Sequence, residues 1–190
     1  MNSSRKARQI VAYLGGRGSF SEEASERFVP ECELMPLADF EAVAMAVCQG
    51  SADLAVLPVH NNIAGPIDAV LVLLAHPELR TIREEDFEVR LHLLAARGTE
   101  IGSIREVASH KAALLQCAPF IAEQKFSVIQ VPSTAEAARQ VSEEADPSRA
   151  AIASEGAASV YDLAIIARDV QGTSASITRF AIVERRDVFA

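Results

Sequence analysis

Short apolar runs alternate with amphipathic segments along most of this 190-residue chain. The runs have the length of strands, whereas the segments between them repeat their apolar residues with helical spacing. Because strands that alternate with helices form parallel or mixed sheets covered by helices, the pattern predicts an α/β fold. Predicted strands cover residues 10–14, 53–59, 87–96, 127–131, 150–153, 163–167 and 178–183, with another near 107, and predicted helices cover 22–28, 40–48, 67–74, 111–124 and 135–144.

Two longer stretches, residues 81–88 and 160–172, interrupt this alternation. We interpret them as a pair of crossings between two lobes of one domain. The first lobe would comprise residues from about 8 to 82 and from 168 to 190, and the second would comprise residues from about 83 to 167. No repeat or low-complexity segment stands out in the sequence.

The composition, with 49% hydrophobic and 23% charged residues, is that of an ordinary soluble globular protein. A formal net charge of -8 argues against a nucleic-acid partner, because phosphate binding needs a basic face. No apolar run is long enough to cross a bilayer or to act as a signal peptide, so we expect a cytoplasmic protein without a membrane partner. The three cysteines are far apart in the sequence, which favours reduced, buried thiols over disulfides.

Serines stand at three predicted strand-to-helix junctions, where helix N-termini favour the binding of an anion. Ser19 and Ser133 begin Ser-x-x-Glu sequences typical of the capping box, and Ser109 has the same position without the glutamate. In an open α/β sheet such N-termini gather at the carboxyl ends of the strands. Two caps from different lobes would bind a dicarboxylate, with Phe20 and Thr134 beside them, although serines at such positions commonly only cap helices.

Sequence motifs for metal and nucleotide cofactors are absent. The histidines show no paired spacing with one another, with cysteines or with carboxylates. Gly16-Arg17-Gly18 lacks the third glycine of the dinucleotide fingerprint, and the sequence contains neither a phosphate loop nor a nucleophile elbow. We therefore expect no cofactor and no metal ion.

Thr178-Arg179-Phe180 places a hydroxyl beside a guanidinium where a polar turn enters a β-branched strand. Both groups suit a small anion, and the alternative is an edge strand with a solvated arginine. Segments 12–24, 108–117 and 133–138 precede this motif in a fixed order. In order and spacing, the set resembles the catalytic domain of prephenate dehydratase over roughly residues 11–183.

The resemblance implies a two-lobe α/β domain similar to type II periplasmic binding proteins, with the active site in the cleft between the lobes. It also implies a lyase of phenylalanine biosynthesis, which converts prephenate to phenylpyruvate without a cofactor, and a homodimer. The regulatory domain that commonly follows the motif in this family is not expected, because the sequence ends at Ala190.

The resemblance further implies a set of catalytic residues. By position, Thr178 matches the essential threonine of the family, and Asn61, Ser109 and Gln116 match further active-site positions. Because a threonine hydroxyl is a weak acid, Thr178 would orient or relay a proton while the other three hold the ring hydroxyl or a carboxylate.

The other two residues of the motif are candidates for substrate binding. Arg179 would grip a carboxylate of the substrate, or it would instead hold its lobe together through an internal ion pair. Phe180 would line the site, or it would instead pack in the protein core, as a phenylalanine in a strand commonly does.

Four positions depart from the family pattern. Lys111 stands where proline is usual, Pro132 replaces an acidic residue found in some members, and Ser176 replaces an asparagine. His60 stands where the family usually has glutamate. As an imidazolium, His60 could donate the proton to the leaving hydroxyl, or it could fill the site as a neutral polar residue.

Three other functions stay open, the first of them because of His60. The first is decarboxylation of prephenate or an analogue without aromatisation, as in some natural-product pathways. The second is the dehydration of arogenate, which differs from prephenate only in its side chain. The third is a protein that binds a small dicarboxylate without converting it.

Overall fold

The computed structural model describes residues 8–172 and 175–186. The chain has a mixed α/β fold with two sheets, which confirms the predicted class. Its described residues divide into two compact units. The first unit contains residues 8–15, 21–87 and 177–186, and the second contains residues 16–20, 88–172 and 175–176.

The boundaries between the units differ from those expected from sequence. Residues 168–172 belong to the second unit, because the Val170 backbone N–H donates a hydrogen bond to the Leu91 carbonyl at 2.8 Å. Residues 83–87 belong to the first unit, in which the Phe87 ring is buried.

Strands and helices alternate along most of the chain. The strands are β1 (Ile10–Leu14), β2 (Glu33–Leu37), β3 (Leu54–Asn61), β4 (Gly65–Pro66), β5 (Leu79–Val89), β6 (His92–Ala95), β7 (Glu106–Ser109), β8 (Ser127–Gln130), β9 (Arg149–Ala153), β10 (Ala164–Ala167) and β11 (Ser176–Arg185). The helices are α1 (Phe20–Phe28), α2 (Phe40–Cys48), α3 (Asp68–Leu74), α4 (Lys111–Gln116), α5 (Ala118–Gln124), α6 (Thr134–Glu144) and α7 (Glu155–Val160), and a 3-10 helix covers Ile101–Ser103.

The first unit is built on a mixed sheet with the strand order β2-β1-β3-β11-β5, and β4 pairs with β3. Strand β1 runs parallel to β2 and β3, whereas β11 runs antiparallel to β3. Helices α2 and α3 cover one face, where Val43 and Val70 pack against Leu57 and Val183. Because side chains alternate along a strand, Phe180 lies on the other face of the sheet.

The second unit contains a five-stranded sheet with the order β10-β6-β9-β7-β8. Strand β7 runs parallel to β8 and β9, and β6 runs antiparallel to β9 and β10. Residues of α4 and α5 form one buried cluster with this sheet, and residues of α6 and α7 form another. Among the described residues, no helix is both long and apolar enough to cross a membrane.

Several elements differ from the sequence prediction, among them residues 81–88, which were interpreted as a crossing and lie within strand β5. The helix expected over residues 111–124 is divided into α4 and α5 at Cys117, where a proline occupies the first turn of the second helix. Strand β2 was not predicted, because its sequence Glu-Leu-Met-Pro-Leu contains a proline and no β-branched residue. Helix α7 was also missed, because it is only 6 residues long and contains Gly156.

Candidate active site

Thr178 and Asn61 lie opposite each other on the antiparallel strands β11 and β3 of the first unit. Asn61 Nδ2 donates a hydrogen bond to Thr178 Oγ1 at 2.9 Å. Asn61 Oδ1 accepts hydrogen bonds from the backbone N–H groups of Ile63 and Ala64, both at 2.9 Å. Because these two donors fix the amide oxygen, the amide nitrogen must face Thr178, and the Thr178 oxygen acts as an acceptor.

The Thr178 hydroxyl proton is available to a ligand. Thr178 is 9% exposed, so its side chain is largely removed from bulk water. In residues 8–172 and 175–186, no group accepts a hydrogen bond from this hydroxyl. A hydroxyl whose oxygen already accepts one hydrogen bond is polarised and becomes a stronger donor. The pair is therefore suited to donating a hydrogen bond to a substrate oxygen.

A β-bulge in β3 turns Asn61 toward Thr178. Val59 has no partner residue in the register between β3 and β11. Leu57 faces the core under α2 and α3, and uninterrupted alternation from Leu57 would place Asn61 on that same face, away from Thr178. The extra residue shifts the alternation by one, as bulges beside active sites commonly do.

Asn62 is a residue of this site to which the sequence analysis gave no role. Its Oδ1 accepts a hydrogen bond from the Ile177 N–H at 2.8 Å, and its own backbone N–H donates to the Ile177 carbonyl at 3.0 Å. Both contacts fix the residue that precedes Thr178. The signal in the sequence was a second amide side chain directly after Asn61.

Arg179 forms an ion pair within the first unit. Its Nε and Nη2 atoms donate to Asp86 Oδ1 and Oδ2 at 2.8 and 3.2 Å, and both side chains are 52% exposed. Hydrogen bonding from Arg179 lowers the pKa of the Asp86 carboxyl. The geometry supports the internal ion pair over the alternative in which Arg179 grips a substrate carboxylate.

His60 belongs with this ion pair rather than with Thr178. It is exposed and lies opposite Arg179 in the register between β3 and β11. Neighbouring residues of a strand point to opposite faces, so Arg179 and His60 lie on the face opposite Thr178 and Asn61. The charge of His60 also contributes to the lowered pKa of Asp86. This placement argues against His60 as the proton donor.

Phe180 packs in the core instead of facing a ligand. It is 2% exposed, and its ring centroid lies 6.1 Å from that of Phe28 and 6.2 Å from that of Phe87. Such ring pairs stabilise a core beyond the area that they bury. The expectation that Phe180 contacts the substrate is therefore corrected to the packing alternative.

Ser109 is a buried hydroxyl of the second unit. It ends β7, is completely buried, and donates a hydrogen bond to the Ile152 carbonyl at 2.6 Å. It does not cap the following helix, because the cap of α4 is His110, whose Nδ1 accepts from the Ala112 N–H at 3.3 Å. Ser109 is therefore the last residue of the strand, and the helix cap expected at Ser109 lies one residue later, at His110.

Gln116 carries an unsatisfied polar atom. It is the last residue of α4, and its side-chain Oε1 is buried with no hydrogen-bond partner among the described residues. Its backbone carbonyl accepts from the Gly172 N–H at 3.0 Å, which fixes the residue in place. A buried amide oxygen without a donor is costly, so this atom is a candidate to accept a hydrogen bond from a ligand.

Ser133 caps α6, as the sequence indicated. Its Oγ accepts a hydrogen bond from the Glu136 N–H at 3.0 Å, and Thr134 is the first helical residue. The Glu136 carboxylate binds Arg139 and Gln140 instead of the Ser133 backbone. The hydrogen bond from Arg139 lowers the pKa of Glu136 to about 2. Of the two reciprocal hydrogen bonds of a capping box, only the one from the Glu136 N–H to the Ser133 hydroxyl is thus present.

Ser19 and Phe20 lie where the glycine-rich segment enters α1. The Ser19 N–H donates to the Gly16 carbonyl at 3.3 Å, and Phe20 is half-buried against the core of the second unit. Glu22, the expected capping partner, is buried and accepts a hydrogen bond from the Tyr13 hydroxyl at 3.0 Å. The substrate-binding roles of Ser19 and Phe20 stay predictions.

A serine that the sequence analysis did not single out fixes the glycine-rich segment. Ser154 Oγ accepts from the Ala157 N–H and donates to the Gly18 carbonyl, both at 3.0 Å. The Tyr161 hydroxyl donates to the Arg17 carbonyl, also at 3.0 Å. The signal was a serine directly after a buried strand, the usual position of a helix cap.

Comparison with known proteins places these residues in context. The sequence model of the family described as prephenate dehydratase matches residues 11–188. A curated relative, arogenate dehydratase/prephenate dehydratase 2 of Arabidopsis thaliana, is 38% identical over 185 residues, which cover 97% of this chain and 49% of the relative. The chain therefore spans about half the length of this curated relative.

Several solved structures are also similar to this chain. The prephenate dehydratase of Arthrobacter aurescens in complex with L-Phe has a TM-score of 0.85 and 27% identity, over 95% of this chain and 61% of that chain. A structure described as GqqA, a novel type of quorum quenching acylase, has a TM-score of 0.88 and 30% identity, over 95% and 66% of the two chains. A nutrient binding protein from Burkholderia cenocepacia shares the fold alone, with a TM-score of 0.51 at 12% identity over 93% of this chain and 84% of that chain.

Proposed function

The chain belongs to the prephenate dehydratase family, and on this premise we propose that it converts prephenate to phenylpyruvate in phenylalanine biosynthesis. The hydrogen bond from Asn61 to Thr178 is the observation that most directly supports this function. It leaves a polarised hydroxyl whose proton has no acceptor among the described residues, and the proposed reaction needs such a donor.

The proposed reaction removes carbon dioxide and water from the ring of the substrate. The bond between the ring and its carboxylate breaks, and the electron pair of that bond enters the ring. The bond from the ring to the hydroxyl breaks on the opposite side, and the hydroxyl leaves as water with one proton, which comes from solvent and is relayed by a side-chain hydroxyl. Aromatisation of the ring drives the reaction, so the main task of the protein is to assist the leaving hydroxyl.

Thr178 is the residue to which we assign this task. Its hydroxyl donates to the leaving oxygen, and the hydrogen bond from Asn61 strengthens the donor at no cost of reorganisation during the reaction. His60 does not serve as the proton donor in this proposal, because it lies with Arg179 and Asp86 on the other face of the sheet. Ser109 and Gln116 stay predicted active-site residues of the second unit.

Arogenate is a second candidate substrate. The curated relative that is 38% identical to the chain carries both activities, arogenate dehydratase and prephenate dehydratase, in its name. Arogenate has an amino group in place of the keto group of prephenate, and the ring chemistry is the same. The Thr178 hydroxyl would therefore act identically on either substrate.

Product analysis by mass spectrometry tests the proposal. The purified protein is incubated with prephenate and, separately, with arogenate, and Thr178→Val and an enzyme-free blank serve as controls. We expect phenylpyruvate from prephenate, or phenylalanine if arogenate is preferred, with little product from the variant. A product that has lost carbon dioxide but is heavier than the aromatic product by the mass of one water would establish decarboxylation without aromatisation. Binding of both compounds without consumption would establish a binding protein and overturn the proposal.

A further inference from the structure

A cysteine, a histidine and a glutamate converge in the first unit where α2 ends and β5 begins. Cys48 is the last residue of α2, and His76 and Glu78 lie in the turn between α3 and β5. One potential ligand atom from each, a sulfur, an imidazole nitrogen and a carboxylate oxygen, lies within 4.8 Å of the other two. We propose that these three residues bind a zinc ion, which goes beyond the function proposed above.

The spacing of the ligand atoms suits one tetrahedral ion. Cys48 Sγ lies 3.8 Å from His76 Nδ1. Bonds of about 2.3 Å to sulfur and about 2.1 Å to nitrogen at a tetrahedral angle separate these two atoms by about 3.6 Å. A movement of a few tenths of an ångström would therefore bring both atoms to bonding distance of one ion.

The imidazole is oriented for this role. His76 Nδ1 accepts a long hydrogen bond of 3.3 Å from the Glu78 backbone N–H, so its lone pair points into the turn, toward Cys48. A metal ion would replace this weak contact with a bond to the same lone pair. Cys48 would bind as a thiolate and release its proton to solvent, and the exposed Glu78 would bind through a carboxylate oxygen.

A cavity beside the three residues leaves room for a fourth ligand. It has a volume of about 300 Å³ and is lined by Cys48, His76 and apolar residues, namely Ala44, Met45, Val72, Leu73, Ala75 and Leu79. Three protein ligands with an open position for water is a common arrangement for zinc, and apolar walls strengthen the interaction of the ion with its ligands.

The ligand set favours zinc over the common hard cations. Thiolate and imidazole ligands suit zinc, whereas magnesium and calcium prefer oxygen ligands. The site lies on the face of the sheet covered by α2 and α3, and Thr178 lies on the opposite face. No sequence motif indicates this site, because Cys48 and His76 are 28 positions apart and form no paired metal motif.

Titration with cobalt, followed by displacement with zinc, tests the site. Cobalt bound to a thiolate has a charge-transfer absorption in the near ultraviolet, which reports directly on Cys48. In chelator-treated wild-type protein we expect one equivalent of cobalt to produce this absorption and one equivalent of zinc, but not magnesium, to abolish it. Cys48→Ser should lose the absorption, and Cys32→Ser, which removes a different thiol, should keep it.

His76→Gln and Glu78→Gln extend the test to the other two ligands. Both residues are exposed, so these variants should fold, and circular dichroism checks that they do. Each should weaken zinc binding by at least about tenfold, since even the loss of an outer partner of a metal ligand does so. The proposal is wrong if the wild type produces no absorption, if Cys48→Ser keeps it, or if both glutamine variants bind zinc like the wild type.

Discussion

Asn61 faces Thr178 because Val59 is left out of the register between their two strands. The two residues are 117 positions apart, and the side-chain hydrogen bond between them is 2.9 Å long. The bulge thus creates the donor geometry on which the proposed chemistry depends.

Thr178→Val should lower kcat by about 100- to 1000-fold, the usual cost of losing one donor to a developing negative charge. The change removes the hydroxyl at nearly constant shape, so the melting temperature should stay close to that of the wild type. Steady-state kinetics and thermal unfolding measure the two quantities. Thr178→Ser keeps a hydroxyl and should retain most of the activity; a valine variant with near-normal kcat would make Thr178 a structural residue.

Asn61→Asp should lower kcat by at least about tenfold with a smaller change in KM. An aspartate still accepts from the Ile63 and Ala64 N–H groups, but its second oxygen would accept the Thr178 proton instead of donating to Thr178. Asn62→Asp is the matched control, because an aspartate there still accepts from the Ile177 N–H. Equal losses in the two variants would contradict a special role for Asn61.

Arg179→Gln and Asp86→Asn should each lower the melting temperature slightly and leave KM unchanged, because the two side chains pair with each other. The double variant should lower the melting temperature by less than the sum of the decreases in the two single variants. Since Arg179 lowers the pKa of Asp86, the pair stabilises the fold above the ordinary pKa of aspartate, and this contribution disappears as the pH falls through the lowered pKa. A raised KM in Arg179→Gln alone would instead assign the guanidinium to substrate binding.

Gly18→Ala should destabilise the protein by about 1–3 kcal/mol. Gly18 has a φ of +77°, and a Cβ at this position would lie 2.8 Å from Ala157 Cα. Gly16→Ala is the matched control in the same segment, because a Cβ there meets nothing within 4 Å. Urea unfolding of both variants measures the difference, and equal stabilities would show that the segment adapts freely.

His92 should make the fold sensitive to mild acid. It is 3% exposed, its Nδ1 accepts from the Asp169 N–H at 3.0 Å, and burial lowers its pKa. The unfolded chain therefore binds more protons below the ordinary histidine pKa of about 6.5, and the free energy of unfolding should fall as the pH drops through that value. His92→Gln keeps an acceptor for the Asp169 N–H and should show a weaker dependence between about pH 7.5 and about pH 5.5. If the free energy of unfolding of His92→Gln depended on pH as strongly as that of the wild type, His92 would be excluded as the source of the acid sensitivity.

The sequence by itself determined the fold class, the family and the two residues of the proposed donor pair. Hydrophobic periodicity is a local property, so it predicted the alternation of strands and helices without knowledge of their packing. The ordered motifs carried the resemblance to prephenate dehydratase, and the family match confirms it. Thr178 followed from its motif and Asn61 from the position that the resemblance assigns to it, although no local pattern shows that they touch.

The tertiary structure alone decided which side chains meet. Arg179 pairs with Asp86, which lies 93 positions away along the chain. This contact favours a structural role for the guanidinium over a contact with substrate. His60 stood beside Asn61 in the sequence and was considered as a proton donor, but strand alternation places it on the other face. Strand register, bulges and long-range packing depend on the whole fold, because a shift of one residue reverses every side chain that follows it. No local stretch of sequence contains that information.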